Sequence, residues 1–267
     1  MAYLETHDLT VGYTQGKKTT EVLTGLNLHL ERGHLVALLG QNGAGKSTLL
    51  RAITCASRPL KGHITIGGVD IATITQRERS RLIGLVSTDR ITVGGLTVTE
   101  LVSLGRQPHT GFLGRLNDDD RQRVAQAIAD VGITHKADNY MAQLSDGERQ
   151  KAMIARALAQ ATPVIVLDEP TAFLDVASRI ETMQLLSRLA HEQNKAVLLS
   201  SHDVSQSLLM ADDLWLITRD REVLHGPTRA LVDSGAMQRL FASQNVEFNP
   251  DILDYQAISK KEALNGE

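Results

Sequence analysis

One stretch of sequence decides the fold of this chain: Gly40-Gln41-Asn42-Gly43-Ala44-Gly45-Lys46-Ser47-Thr48. It has the G-x-x-x-x-G-K-[ST] spacing of a phosphate-binding loop. An apolar segment, residues 35–39, precedes it and indicates a buried strand, and residues 48–53 indicate a helix. Inward-pointing backbone N–H groups and a helix N-terminus attract phosphate. We expect Lys46 to reach the β- and γ-phosphates of a nucleotide and Ser47 to ligate Mg²⁺. The alternative is a glycine-rich turn that binds nothing.

A second motif is an apolar run that ends in two carboxylates, residues 164–169. Four apolar residues in succession favour a central parallel strand buried on both faces. Asp168 then stands at the strand end, where open α/β sheets bind ligands, and is expected to hold Mg²⁺. Glu169 points elsewhere and is expected to polarise an attacking water. The alternative is a solvated acidic strand end.

A phosphate loop alone also occurs in kinases, GTPases and helicases. The segment between the two motifs narrows this choice: Leu144-Ser145-Asp146-Gly147-Glu148-Arg149-Gln150. Taken alone, Ser145 followed three residues later by Glu148 is a capping box that starts a helix. Gly147 permits close backbone approach, and the free N-terminus of such a helix suits an anion.

These motifs together resemble those of the ATP-binding cassette (ABC) proteins. The family signature is LSGGQ, from which Asp146 and Glu148 depart. Further matches are the D-loop, residues 173–175, and His202 at a strand end, which resembles the family's switch histidine. Tyr13 matches the aromatic residue that stacks on adenine. The family usually has a glutamine after the strand at residues 81–87, where this chain has Thr88.

The resemblance implies a set of site residues. Catalytic roles fall to Glu169 and His202, and Mg²⁺ ligation to Ser47, Asp168 and Thr88. ATP contacts are expected from Tyr13, Asn42, Gly43, Ala44, Gly45, Lys46, Ser47, Thr48, Ser145, Gly147, Glu148 and Asp175. The resemblance also implies a head-to-tail homodimer, because one cassette contributes the phosphate loop and the other contributes Ser145 and Gly147 to each ATP.

The implied fold class is α/β: a phosphate-loop (RecA-like) ATP-binding cassette core with an antiparallel β subdomain and an inserted α-helical subdomain. We expect one domain over residues 1–267. The core and β subdomain take residues 1–88 and 156–242, the helical subdomain takes 89–155, and a C-terminal extension takes 243–267. Alternation over residues 26–31 indicates a half-buried strand, and the polar residues after Phe241 indicate an irregular surface extension.

Composition limits the functional classes. A net charge of −3 and an aromatic content of 3% give no reason to expect nucleic-acid binding. The single cysteine, Cys55, rules out an intrachain disulfide, fits a reducing compartment, and is expected to pack within the helix after the phosphate loop. No apolar run approaches the roughly 20 residues needed to cross a bilayer. We prefer a helix start over a metal site for Asp118, Asp119 and Asp120, because negative charge there complements the helix dipole.

A narrower resemblance points to the ATPase subunits of bacterial importers for iron–siderophore complexes, haem and cobalamin. It rests on a G-R-x-P-[HY]-T segment, residues 105–110, before the acidic stretch. The implied partners are integral-membrane permease subunits and, indirectly, a periplasmic or lipoprotein substrate-binding protein. The implied location is the cytoplasmic face of the membrane. Alternatives are a soluble ABC ATPase acting on ribosomes or nucleic acid, an exporter cassette with a separate permease, and a module that only binds nucleotide.

Overall fold

The computed structural model describes residues 2–16, 18–87, 95–111, 114–240 and 246–257. These ranges do not include Thr88 or the apolar residues at positions 91, 93, 112 and 113. The prediction that Thr88 contacts Mg²⁺ therefore concerns a residue outside the described part of the chain.

The chain alternates strands and helices. The strands are β1 (Ala2–Gln15), β2 (Lys18–Leu26), β3 (His29–Glu31), β4 (Leu35–Gly40), β5 (Lys61–Ile66), β6 (Val69–Asp70), β7 (Ile83–Val86), β8 (Val164–Leu167), β9 (Ala196–Ser201), β10 (Asp213–Ile217), β11 (Val223–Pro227), β12 (Val246–Asn249) and β13 (Asp254–Ala257). The α-helices are α1 (Lys46–Ile53), α2 (Gln76–Arg79), α3 (Val98–Ser103), α4 (Asp118–Asp130), α5 (Asp146–Ala159), α6 (Val176–Gln193), α7 (Val204–Met210) and α8 (Thr228–Asp233).

A six-stranded sheet forms the centre, in the order β11-β10-β4-β9-β8-β7. Its strands are parallel except β11, which pairs antiparallel with β10. A second, antiparallel sheet has the order β2-β1-β5-β6, with β3 paired to β1. The predicted combination of a mixed α/β core with an antiparallel sheet is confirmed.

Two hydrophobic clusters lie on the two faces of the central sheet, because alternate residues of a strand point to opposite sides. Along β4, Ala37 and Leu39 belong to the cluster that contains the helices α3 to α5, whereas Val36 and Leu38 belong to the cluster under the antiparallel sheet. The single tryptophan, Trp215 on β10, is 1% exposed in the second cluster and pairs in register with Leu38. Burial on both faces explains why β4 and β8 have no polar residue.

The helices α3, α4 and α5 pack against one another. A buried ion pair connects the segment after α3 to α4. Arg106 Nε lies 2.9 Å from Asp120 Oδ1, and both side chains are 4% exposed. Arg106 also donates to the carbonyl of Ala159 at the end of α5. Burial opposes ionisation of Asp120, but the Arg106 hydrogen bond and the backbone N–H at Asn117 lower its pKa. Asp120 is thus at the helix start as predicted, and it also joins α4 to α5.

Three local predictions are wrong. No strand runs through residues 26–31, because β2 ends at Leu26 and β3 begins at His29; between them the Leu28 N–H donates to the Thr6 hydroxyl. Cys55 is outside the helix, since α1 ends at Ile53 and Cys55 has a φ of 58°.

The irregular tail is the third of these errors. Residues 246–257 form the antiparallel hairpin β12–β13. Phe248 is buried against the main core, and Gln238 hydrogen-bonds the backbone of Phe248 through both amide atoms. Two apolar residues in a strand of four, Val246 and Phe248, are too weak a pattern to predict a strand from the sequence.

Candidate functional site

The phosphate loop leaves the buried strand β4 and enters α1, as predicted. Its Gly45 has a φ of 118°, and a Cβ there would lie 2.7 Å from Val22 Cγ1, so only glycine fits. Lys46, the first residue of α1, is buried and donates through Nζ to the Gly40 carbonyl at 2.7 Å. Burial lowers the pKa of Lys46, and the charges of Glu169 and Asp168 oppose that change. The two carboxylates and the lysine therefore share one electrostatic environment.

Ser200 joins the two carboxylate residues. This side chain is fully buried in β9; its hydroxyl donates to Asp168 Oδ1 at 2.6 Å and accepts from the Glu169 N–H at 2.9 Å. Ser200 was not predicted from the sequence. The available signal was a pair of serines, Ser200 and Ser201, that ends the otherwise apolar strand β9.

Glu169 leaves the strand in an unusual conformation. Its φ is 46°, in the left-handed region that non-glycine residues seldom adopt. This turn directs its carboxylate to His202, whose Nε2 lies 2.5 Å from Glu169 Oε1. The strand ends of β8 and β9 thus bring the two predicted catalytic residues together.

Glu169 and the phosphate loop border a cleft of about 250 Å³, whereas Asp168 and His202 are not part of its lining. It is lined by Tyr13, Val22, Gln41, Asn42, Gly43, Gly45, Lys46, Ser47, Thr48, Glu169 and Arg221. Of the predicted loop residues, Ala44 alone is not part of this lining; its side chain packs against the cluster beneath the antiparallel sheet. Tyr13 is half exposed on β1 at the cleft wall. Val22, Gln41 and Arg221 were not predicted from the sequence.

A second group of predicted residues does not line this cleft. Ser145 caps α5: its hydroxyl accepts from the Glu148 N–H, and the Glu148 carboxylate accepts from the Ser145 N–H. That backbone hydrogen bond, followed by Lys136, lowers the pKa of Glu148. The predicted capping box is confirmed.

Asp175 belongs to the same group. It caps α6 by accepting from the Ser178 N–H and hydroxyl, and the backbone hydrogen bond lowers its pKa. A Cβ at Gly147 would lie 2.8 Å from Ser178 Oγ, so the close backbone approach expected at Gly147 is to α6 of the same chain. The start of α5 and the cap of α6 therefore form one surface, separate from the cleft.

A phosphate loop at the end of β4, a carboxylate pair at the end of β8 and a helix start of the signature type define an ATP-binding cassette. The family model described as ABC transporter matches residues 23–172. The chain belongs to the ABC transporter family, and it is an ATP-hydrolysing subunit.

Relatives agree along nearly the whole chain. The ferric enterobactin transport ATP-binding protein FepC of Escherichia coli is 37% identical over 241 residues, which cover 90% of this chain and 88% of FepC. A proposed metal-chelate type ABC transporter, solved in an inward-facing conformation, has a TM-score of 0.81 at 28% identity, covering 98% of this chain and 100% of that one. The dimeric cassette MJ0796 has a TM-score of 0.73 at 28% identity, covering 85% of this chain and 99% of that one.

In the part of the chain that the structure describes, no helix is long and apolar enough to span a membrane. Homologous proteins are named as import ATP-binding proteins, and the similar cassette MJ0796 forms a dimer. This chain is accordingly the ATP-hydrolysing, energy-coupling subunit of an importer.

Proposed function

We propose that this chain drives the import of an iron–siderophore complex, haem or cobalamin by hydrolysing ATP in the cleft beside Lys46. The observation that carries the proposal is the convergence of the phosphate loop, Asp168, Glu169 and His202 at one sheet edge. Relatives named for ferric enterobactin, iron(3+)-hydroxamate and cobalamin import support the substrate class. Proteoliposomes with the cognate permease and binding protein should transport one of these and not a sugar or an amino acid.

The oxygen donors at the start of α1 and at the end of β8 fit Mg²⁺. Among described residues, no three His, Cys, Asp or Glu side chains cluster as a metal site. Mg²⁺ prefers one or two protein oxygens together with substrate phosphates, and Ser47 and Asp168 provide a hydroxyl and a carboxylate. Ser200 occupies one oxygen of Asp168. When bound, Mg²⁺ would neutralise charge on the phosphates. Thr88 remains a proposed additional ligand.

In the proposed reaction, Glu169 accepts a proton from the attacking water, and His202 holds the Glu169 carboxylate in position. Lys46 binds the phosphates through its charge. The backbone N–H groups of residues 42–48 and the N-terminus of α1 stabilise negative charge there. Tyr13 stacks on adenine. Tyr13, Lys46 and Glu169 border one cleft, and His202 contacts Glu169 without lining that cleft itself.

We also propose that Ser145, Gly147, Glu148 and Asp175 act on the ATP of the partner cassette. Their separation from the cleft within one chain supports this arrangement. A substitution at Gly147 is a poor test, because a Cβ would meet Ser178 of the same chain. Ser145→Asp is better: Asp is also a good N-cap, and its charge repels a phosphate.

The test mixes Lys46→Ala and Ser145→Asp subunits. In a head-to-tail dimer both substitutions fall in one composite site and leave the other intact, so mixed dimers should hydrolyse more ATP than either variant alone. Ser145→Asn, which keeps the cap without a charge, is the matched control and should lose less activity. Mixed dimers that form but show no recovery would contradict the arrangement.

The proposed permease site is a groove of about 890 Å³, lined by residues that follow α1 and α3 and by residues of α2, β7 and α5. Its lining includes Leu104, which directly precedes the importer-type segment, and Pro108 within that segment. It also includes three arginines, Arg77, Arg79 and Arg156. Leu104 is 41% exposed. An apolar residue beside cations suits a short permease helix with an acidic face.

Leu104→Asp tests this groove. The isolated subunit should keep its fold and its basal hydrolysis but lose association with the permease in detergent and lose transport. Tyr140→Asp, at another exposed large side chain outside the groove, is the control and should keep both. A Leu104→Asp subunit that binds the permease normally would exclude the groove as the docking site.

We propose further that the subunit lies at the cytoplasmic face of the membrane, coupled through the permease to a substrate-binding protein. We also propose that residues 1–267 are one cassette. Its core and β subdomain take residues 1–88 and 156–242, its helical subdomain takes 89–155, and its C-terminal extension takes 243–267. The boundary at residue 155 falls inside the continuous helix α5, so the helical part and the core share that helix.

A further inference from the structure

The turn between β10 and β11 is held in a fixed shape next to the cleft. The Thr218 N–H donates to the Glu222 carbonyl at 2.9 Å, and the Arg221 N–H donates to the Thr218 carbonyl at 3.0 Å. The Thr218 hydroxyl contacts both backbone groups of Glu222. Glu222 also forms an ion pair with Arg239. The hydrogen bonds of Thr218 and the ion pair of Glu222 therefore hold both ends of the turn.

Arg221 occupies the position in this turn that favours glycine. Its φ is 63°, in the left-handed region, where glycine and asparagine are the usual residues. A non-glycine residue is held in such a conformation only when the surroundings require it, and residues of this kind concentrate at ligand sites. The arginine therefore needs an explanation beyond the shape of the turn.

The position of Arg221 supplies that explanation. The register pairs Ile217, the last residue of β10, with Gly40, the first residue of the phosphate loop. The turn that follows therefore lies beside the start of the loop, and Arg221 lines the cleft together with Lys46 and Glu169. Among the described residues, no hydrogen-bond acceptor or carboxylate pairs with its guanidinium.

We infer that Arg221 is a second phosphate-binding cation, which donates charge-assisted hydrogen bonds to the phosphate chain of ATP. The planar guanidinium suits phosphate oxygens geometrically. Lys46 approaches the phosphates from within the loop, whereas Arg221 approaches from the neighbouring turn. The inference rests on the proposed use of this cleft for ATP, and none of the family motifs in the sequence includes Arg221.

The decisive variant is Arg221→Gly, because it removes the charge and relieves the left-handed backbone at once. Equilibrium dialysis of ATP without Mg²⁺ avoids turnover. We expect the Kd for ATP to rise about tenfold, the effect of losing one hydrogen bond to a charged group. The thermal midpoint should stay equal or rise, since glycine suits this φ. Arg221→Asn should behave similarly and Arg221→Lys should retain part of the affinity.

Two comparisons isolate the phosphate contact. Adenosine, measured as a competitor, should bind Arg221→Gly and wild type equally, and the difference in ATP affinity should shrink as salt increases. Arg229→Ala removes an exposed arginine of α8 that is paired with Asp233 outside the cleft, and it should leave the Kd unchanged.

The remaining outcomes overturn the inference in distinct ways. An unchanged Kd for ATP in Arg221→Gly means that Arg221 does not contact ATP. An equal loss for adenosine indicates stacking on the base, and a thermal midpoint that falls with the affinity indicates a structural role. If wild-type protein fails to bind ATP, the proposed use of the cleft fails instead.

Discussion

Each edge of the central parallel strands carries a histidine–carboxylate pair, and the two pairs have nearly the same length. At the carboxyl edge, His202 Nε2 lies 2.5 Å from Glu169 Oε1. At the amino edge, His34 Nδ1 lies 2.6 Å from Asp213 Oδ2. The chemical groups are alike, so their surroundings must account for any difference in role.

The surroundings differ in geometry. Glu169 borders a cleft with Lys46 and has a left-handed backbone. Asp213 begins β10 beside the start of β4, where Asp212 accepts the Leu35 N–H, so these carboxylates tie two strand starts together. A histidine–carboxylate contact therefore serves only to connect structural elements, unless a substrate cleft and a further cation such as Lys46 lie next to it.

The largest expected difference concerns hydrolysis. Glu169→Gln keeps the shape of the side chain but removes the proposed base, so the steady-state ATPase rate should fall about 10²–10⁴-fold while ATP still binds. Asp213→Asn, the same change at the opposite edge, should hydrolyse ATP at the wild-type rate. Equal ATPase rates in the two variants would contradict a catalytic role for the Glu169 pair and a structural role for the Asp213 pair.

A smaller effect is expected at Ser200. Ser200→Ala leaves Asp168 and the Glu169 N–H without their shared buried partner, so hydrolysis should fall about 10–100-fold, as for residues that orient a ligand. The free energy of unfolding should fall by about 1–3 kcal/mol. Ser201→Ala is the matched control, because Ser201 is equally buried but bonds Asp203 instead. The hydroxyl does not position the carboxylates if both variants have the same ATPase rate.

The smallest effect concerns stability at the amino edge. The hydrogen bond to Asp213 raises the pKa of His34 from its usual 6.5, against the effect of burial. A raised folded-state pKa stabilises the fold fully below the unfolded value and loses that contribution as the pH rises through the folded value. His34→Gln should therefore cost up to about 1 kcal/mol, reduced by exposure to solvent.

Denaturant unfolding at a series of pH values measures this effect. Wild type and His34→Gln should differ most below pH 6.5 and converge at alkaline pH, and their ATPase rates should agree. Asp213→Asn should lose the same pH-dependent contribution. A difference that grows with increasing pH would show that the sign is wrong.

Local patterns account for what the sequence predicted well. The phosphate loop, the strand before Asp168 and the cap at Ser145 each depend on residues a few positions apart, and each is found where it was expected. The contacts that it missed join distant residues. Ser200 and Asp168 are 32 positions apart, and Arg106 and Asp120 are 14 apart on different elements. Only the completed sheet and the packed helices bring such pairs together.

Arg221 shows the same limit in another form. Nothing near it in the sequence marks an arginine as part of a ligand site, because its position depends on the pairing of β10 with β4. The helical face through Val124 and Ile128, in contrast, has the spacing of one side of a helix, and both residues are buried on α4. Sequence patterns reveal the buried faces of helices and strands, whereas the residues that belong to a ligand site depend on how the strands pair in the sheet.

Trp215 gives the molecule a built-in optical probe. It is the only tryptophan, it is buried, and it lies on β10 two residues before Ile217, which abuts Gly40. An indole in an apolar interior emits at shorter wavelength than one in water. The wavelength of its emission maximum therefore reports whether the strands β4 and β10 remain paired. The measurement needs no added label, because the protein has this one indole.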